Sequence, residues 1–240
     1  MLKCKNCGYP VDNKYCPQCG QSASIGRFTT KHLLHEFIHG FYHVDHGIIY
    51  TTKALFLNPG KMLKEYLHGK RKDHFNPFTF ILIISALLTI LMPKLIDTSL
   101  FAEFGWIEKK HVDTNLLKSS FKHITIRIIL GLPLFALVSY IFYRKKEFNY
   151  PEHLIANTYL RALSELFLLL LFPLLIGSPS STIIIAFSII FIAITIIYYT
   201  WAYCGLFEDK ITFPGMMKGF ACALIANALE LTIVNLIIIR

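Results

Sequence analysis

Apolar residues gather in long unbroken blocks over the later two-thirds of the chain, and in short interrupted patterns before them. Five blocks stand out: Phe78 to Leu95, Ile124 to Phe142, Leu154 to Ile176, Ile183 to Cys204 and Met216 to Ile239. Each holds about 18 to 24 residues, close to the roughly 20 that a helix needs to cross about 30 Å of hydrocarbon. A helix lying against a soluble core would show an apolar stripe instead. The pattern predicts five transmembrane helices, the second kinked near Gly131 and Pro133. The stretch from Ile96 to His123 is polar and mixed in charge, and is read as a loop.

Upstream, "GIIYTTKALFLNPGKMLKEYLHGKRKDHFNP" is divided by Asn58, Pro59 and Gly60 into two short amphipathic helices. Pro59 suits the first turn of the second helix and Gly69 its C-terminal stop. Both are too short and too charged to span, so they are expected at the membrane interface, apolar faces down and lysines up. Before them, "TTKHLLHEFIHGFYHVDHG" predicts a helix starting after Thr29 or Thr30, and "QSASIGRF" reads as a polar linker. His32, His35, His39 and His43 form a stripe on that helix. Three of them, His35, His39 and His43, are spaced to bind a transition metal. The competing reading is the polar side of a surface helix, since one stripe rarely closes a coordination shell.

The first nineteen residues carry Cys4, Cys7, Cys16 and Cys19 as two CxxC pairs, each followed by glycine (Gly8, Gly20). A two-residue spacer lets one tight turn aim both sulfurs at one ion, and two such turns complete a tetrahedral thiolate shell. The motif predicts a structural zinc ribbon with no open coordination position. The first twenty residues lack an apolar signal core, so the ribbon is expected in the reducing cytoplasm, where metal is favoured over a disulfide. Three segments follow: 1–22 as ribbon, 23–77 as linker and interfacial helices, 78–240 as transmembrane domain. The fold class expected is an all-α integral membrane protein carrying a small Cys4 ribbon.

Composition agrees: 54% hydrophobic and only 16% charged residues, with a mean hydropathy of +0.50, where a soluble domain carries about 25% charged residues. The net charge of +9 would suit nucleic acid. However, the basic residues sit beside apolar blocks, in "GKRKDH" and "YRKKEF", where they face anionic lipid headgroups. Nucleic acid is therefore not an expected partner. The positive-inside tendency places the N-terminus in the cytoplasm and, with five crossings, the C-terminus outside a multi-pass cytoplasmic (inner) membrane protein. Tyr198, Tyr199, Trp201 and Tyr203 are expected to form an aromatic belt at the inner face.

Charges inside the blocks are the candidate chemistry. His153, Asn157, Arg161 and Glu165 follow one another at i+4 on one face of the third block, and Glu230 sits in the fifth. A mid-bilayer charge costs about 2.5–3.5 kcal/mol on insertion scales, so such a stripe should face protein or water. Bringing the third and fifth helices together would place Arg161 near Glu165 and Glu230. Two readings stay open: an ion, proton or headgroup site, and a structural ion pair with Arg161 reaching toward the cytoplasmic headgroups.

The segments "CPQCGQ", "DHGIIYTTKALFLNPGKMLKEYLHGKRKDHFNPFTFILI" and "YPEHLIANTYLRAL" resemble an uncharacterised family of bacterial multi-pass membrane proteins, catalogued as a domain of unknown function. The residues carrying the resemblance are Asp45, Gly47, Thr51, Leu55, Pro59, Gly60, Tyr66, Gly69, Lys70, Arg71 and Pro77. It implies an N-terminal zinc ribbon ending in CGQ and several membrane helices, and no activity. Lys70 and Arg71, at the end of an interfacial helix, are candidates for gripping phosphate headgroups. The function expected is that of a non-enzymatic membrane protein whose cytoplasmic ribbon and interfacial helices bind a partner protein or lipid headgroups. The alternative is a small ion or solute transporter or channel using Arg161, Glu165 and Glu230. A metal-dependent membrane enzyme using the histidines is the minor reading, as no nucleophile elbow, phosphate loop or HExxH pattern is present.

Overall fold

A computed structural model of the chain describes residues 2–30, 47–96, 124–172, 181–208 and 211–238. A two-stranded antiparallel hairpin, β1 (Leu2–Lys3) and β2 (Pro10–Val11), is followed by seven helices among the described residues. These are α1 (Ile48–Leu57), α2 (Pro59–Leu67), α3 (Pro77–Ile96), α4 (Ile124–Tyr143), α5 (Tyr150–Leu171), α6 (Ser181–Phe207) and α7 (Phe213–Ile238). The histidine stripe His32, His35, His39 and His43, together with Asp45 and the loop after Ile96, lies outside the described residues.

Helix boundaries follow local chemistry. Asn58 caps α2 by accepting the Lys61 N–H, with Pro59 at the first helical position. Gly69, at φ 112°, stops the same helix while the Lys70 N–H returns to the Glu65 carbonyl. The Asn76 side chain accepts the N–H groups of Phe78 and Thr79 to start α3. A reciprocal capping box between Asn149 and Glu152 starts α5.

Three helical stretches, Tyr150–Leu171, Ile185–Phe207 and Phe213–Ile233, are long and apolar enough to cross a membrane. Pro77–Met92 and Leu130–Tyr143 are shorter apolar helices, so the described residues supply three spans by length and composition rather than five. α5 is the axis of the bundle: α3 and α4 pack on it, α4 also packs on α7, and α7 packs on α6. This explains why α5 can carry polar residues, since its apolar stretch is 61% buried against 28% for α6 or α7. The ends of α4, α5 and α6 share a polar end with the ribbon. There Lys146 pairs with Glu208 at 2.9 Å, and the Asn149 side chain donates to the Phe28 carbonyl at 3.0 Å.

Several expectations need correcting. The linker is not a free polar tether, because Phe28 is buried and stacks on Tyr66. Its core is continuous with Leu55, Leu63, Tyr66, Phe75 and the bundle, so the described residues of 23–77 and 78–240 share one apolar interior. The apolar face of α2 (Met62, Leu63, Tyr66, Leu67) is buried by protein rather than turned to lipid. Tyr199 and Tyr203 point into the core, and Tyr198 is buried beside them, so Trp201 alone of the expected belt is exposed. Aromatic rings on a tightly packed helix gain more by filling the core than by lining the interface.

Where α2 crosses α6 the backbones touch at two glycines. A Cβ on Gly60 would lie 2.4 Å from the Gly205 backbone, whereas one on Gly205 would lie 3.0 Å from Gly60 Cα. Gly60→Ala is therefore expected to destabilise the protein by about 1–3 kcal/mol, and more than Gly205→Ala. Thermal unfolding of both variants in detergent checks the order.

Candidate metal centre and buried polar network

The four N-terminal cysteines are brought together by two copies of one turn. In the first, Gly8 N–H donates to the Cys4 carbonyl at 2.9 Å and Cys4 N–H to the Tyr9 carbonyl at 2.8 Å. In the second, Gly20 N–H donates to the Cys16 carbonyl and Cys16 N–H to the Gln21 carbonyl, both at 2.8 Å. Gly8 and Gly20 have φ of 78° and 72°, left-handed values that a side chain disfavours. The sulfurs of Cys4 and Cys19 are 3.6 Å apart and those of Cys7 and Cys16 3.5 Å, with all four within 4.8 Å of one another. Four thiols at this spacing could hold a metal ion.

The electrostatics of the cluster suit a cation. Burial opposes ionisation of Cys16, but N–H groups of Cys19 and Gln18 and neighbouring thiols bring it down to about 7. At Cys7 the Tyr9 N–H favours the thiolate, yet burial and the thiols of Cys16, Cys19 and Cys4 push it up to about 12. The Cys7 and Asn6 N–H groups lower Cys4 against its burial. Four adjacent thiols therefore resist joint ionisation unless a cation replaces their protons.

The cluster is seated on the helical body by the residue that follows it. Gln21, only 3% exposed, donates from Nε2 to the Gly69 carbonyl at 2.9 Å. Its Oε1 accepts the N–H groups of Arg71 and Lys72, each at 3.1 Å. One side chain thus saturates the turn between α2 and α3. Around it, Asn6 donates to Asp73 at 3.1 Å, and a Cβ on Gly69 would collide with Lys5. Arg27 adds a second anchor, with its Nε 3.0 Å from Glu152 Oε1 and Nη2 2.5 Å from Oε2, so the linker is tied to the head of α5.

Arg71 is part of this joint. Its guanidinium lies 3.5 Å from the Phe28 ring centroid and donates to the carbonyls of Gly26 at 2.9 Å and Tyr66 at 3.3 Å. Lys70 pairs with Glu65 at 3.0 Å, which raises its pKa chiefly through that hydrogen bond. With Nε and Nη2 donating to protein carbonyls and its plane over an aromatic ring, Arg71 is a structural link in this joint. His74 is buried between Tyr50 and Tyr66, and burial, then Lys70, lowers its pKa.

Inside the bundle the predicted polar stripe divides into two clusters. His153 Nδ1 lies 2.9 Å from Ser139 Oγ, Asn157 Nδ2 donates to the same oxygen at 2.9 Å, and Tyr203 donates to Asn157 Oδ1 at 2.7 Å. One turn or more further along α5, Arg161 makes a bidentate pair with Glu230 at 2.7 and 2.8 Å, and its Nε lies 2.7 Å from Glu165. The third and fifth blocks meet through this ion pair, as expected, beside α4, which packs on both and at Gly131 leaves room for the Glu230 carboxylate. A Cβ at Gly131 would sit 2.9 Å from Glu230 Oε1. Arg161 is held inside the bundle, not extended to headgroups.

Sequence reasoning did not single out Arg27, Glu152 or Ser139, and it read Tyr203 as an interfacial belt residue and Gln21 only as the end of the ribbon motif. Glu152 had a readable signal, because Asn149-x-x-Glu152 has capping-box spacing. Gln21 had one as the last residue of the CGQ ending that the resemblance implies, but nothing there pointed to the turn at 69–72.

The resemblance residues now acquire physical reasons. A Cβ at Gly47 would meet the Asp73 carbonyl at 2.7 Å, Thr51 accepts the Phe75 N–H at 2.8 Å, and Leu55 is fully buried. No curated protein and no solved structure matches the chain. Residues 45–89 match the model of a family described as Protein of unknown function (DUF3667), the stretch that holds the PG and GKR motifs.

Proposed function

We propose that this is a non-enzymatic multi-pass membrane protein in which a zinc-loaded ribbon and helices α1 and α2 form one cytoplasmic platform for a partner protein or lipid headgroups. The single observation that carries this reading is the buried Gln21 amide, which fixes the ribbon onto the turn after α2. A module fastened in this way presents a set face instead of swinging on a tether. That face includes the exposed side chains of Leu2, Tyr9 and Tyr15 on the ribbon, residue types suited to a protein surface.

Zinc fits the donor set. Tetrahedral thiolate zinc with bonds near 2.3 Å places sulfurs about 3.8 Å apart, close to the 3.5 and 3.6 Å separations here. The ribbon's own core is only Cys4, Val11 and Cys16 with Cys19 against it, so metal binding would supply most of its folding free energy. The polar end shared by the ribbon and the loops at 144–149 and 208 supports a cytoplasmic face with five crossings in alternation.

A second reading, a small ion or solute transporter, draws support from the Arg161, Glu165 and Glu230 cluster buried across α5 and α7. Against it, both carboxylate oxygens of Glu230 are already engaged by Arg161, the geometry of a structural pair.

Native mass spectrometry is expected to find one zinc per chain, lost in Cys4→Ser, with no second metal held by the histidines. Gln21→Ala should leave zinc bound yet release the ribbon, at a cost of about 1–3 kcal/mol for the orphaned backbone groups, seen as faster proteolytic cleavage between residues 22 and 27. Glu230→Gln should lower stability by about 3–5 kcal/mol without abolishing any proton or solute flux in proteoliposomes. Flux in the native protein that disappears in this variant favours the transporter.

A further inference from the structure

The outward face of α1 is apolar and bare. Ile49 and Phe56, seven residues apart, are 79% and 59% exposed, and Tyr50 and Leu57, likewise seven apart, are 48% and 59% exposed. Thr51 and Leu55 on the opposite face are buried. A helix on the watery side of the platform would not turn this face outward.

The contacts of α1 say where the face lies. Its first turn is at the polar end, where Gly47 abuts Asp73 and Thr51 accepts the Phe75 N–H just before α3 begins. Its last turn lies against the apolar spans. Phe56 packs edge-on against Phe167 of α5 at 6.1 Å, and Phe167 packs against Tyr198 of α6 at 5.4 Å. Tyr198 stands nine residues before the end of α6, about 14 Å along the axis. Next to these contacts the outward surfaces of α5 and α6 are apolar too, with Leu170 and Ile197 each 66% exposed.

Backbone groups at this depth are handled as a bilayer demands. Tyr198 donates its hydroxyl to the Leu55 carbonyl at 3.3 Å, one of the carbonyls that the end of α1 leaves without a helical partner. The Asn58 N–H returns to Ala54, and the Asn58 side chain caps α2. α2 then leads back to the polar end, where Gly69 meets Gln21. Ten residues of helix reach about 15 Å, half the hydrocarbon thickness. Lys53, on the exposed face nearer the polar end, is within snorkelling reach of headgroups.

We infer that α1 and α2 form a re-entrant hairpin whose Ile49, Phe56 and Leu57 face contacts the acyl chains of the cytoplasmic leaflet, instead of lying flat at the interface. The occupant is lipid because the face continues the apolar surface of α5 and α6. This inference rests on the membrane reading above.

Single-tryptophan full-length proteins in phosphatidylcholine–phosphatidylglycerol vesicles test it, with the native Trp106 and Trp201 replaced by Phe except where stated. Tryptophan placed by Phe56→Trp, and separately by Leu57→Trp, is expected to emit in the blue. Acyl-brominated lipid should quench it, and aqueous acrylamide should quench it several-fold less than a Lys72→Trp reference. Ready acrylamide quenching overturns the inference, and so does shielding from both quenchers, which would mean a protein partner or a second copy covers the face. A protein retaining only Trp201, on α6, separates the causes: if Trp201 is quenched by brominated lipid and positions 56 and 57 are not, the hairpin fails alone. If none is quenched, the membrane reading fails as well. Helical circular dichroism equal to the parent confirms that each variant is folded.

Discussion

Gln21 closes three hydrogen bonds with the backbone of a single turn, and much of the molecule's organisation hangs on that contact. The turn at 69–72 joins α2 to the approach of α3. Its Gly69 holds a left-handed φ of 112°, and its Arg71 and Lys72 N–H groups are accepted by the Gln21 side chain. The second cysteine knuckle positions Gln21, because the Cys16 N–H donates to the Gln21 carbonyl at 2.8 Å. The cysteine cluster is therefore coupled through one amide to the geometry of the segment matched by the family model.

Close backbone approach is the second constraint. Gly47 against Asp73, Gly60 against Gly205 and Gly131 against Glu230 each put a glycine where another group needs the space of a methyl. At the first two positions the neighbour is backbone. At the third it is the carboxylate that crosses α4 to reach Arg161. Small residues let apolar helices pack closely when lipid supplies little hydrophobic drive between them. Here one of them also leaves room for the Glu230 carboxylate that pairs with Arg161.

Much of this was legible in the chain and some was not. Helix positions were, because five apolar runs and the Asn58-Pro59-Gly60 and Gly69 breaks act locally: α3, α4, α5, α6 and α7 begin and end within a few residues of the expected blocks. The cysteine cluster was legible for the same reason, since two-residue spacing and a following glycine fix a turn wherever it occurs. What failed were inferences about neighbours. The hydrophobic pattern says that α2 has an apolar face, but not whether lipid or α6 covers it. The engagement of Arg71 was not legible either, because Phe28 and Gly26, which contact it, lie more than forty residues away in sequence. The i+4 stripe on α5 was visible, whereas its partners were not: Ser139 carries no signal of its own, and Tyr203 read as an interfacial aromatic.

Hydrogen exchange at individual amides tests the coupling between metal and membrane segment most directly. In the zinc-loaded protein the Arg71 and Lys72 amides should be protected. Stripping the metal should release that protection while the amides at the centre of α5 stay slow. Fast exchange at Arg71 and Lys72 with zinc bound, or protection that survives metal removal unchanged, would contradict the account.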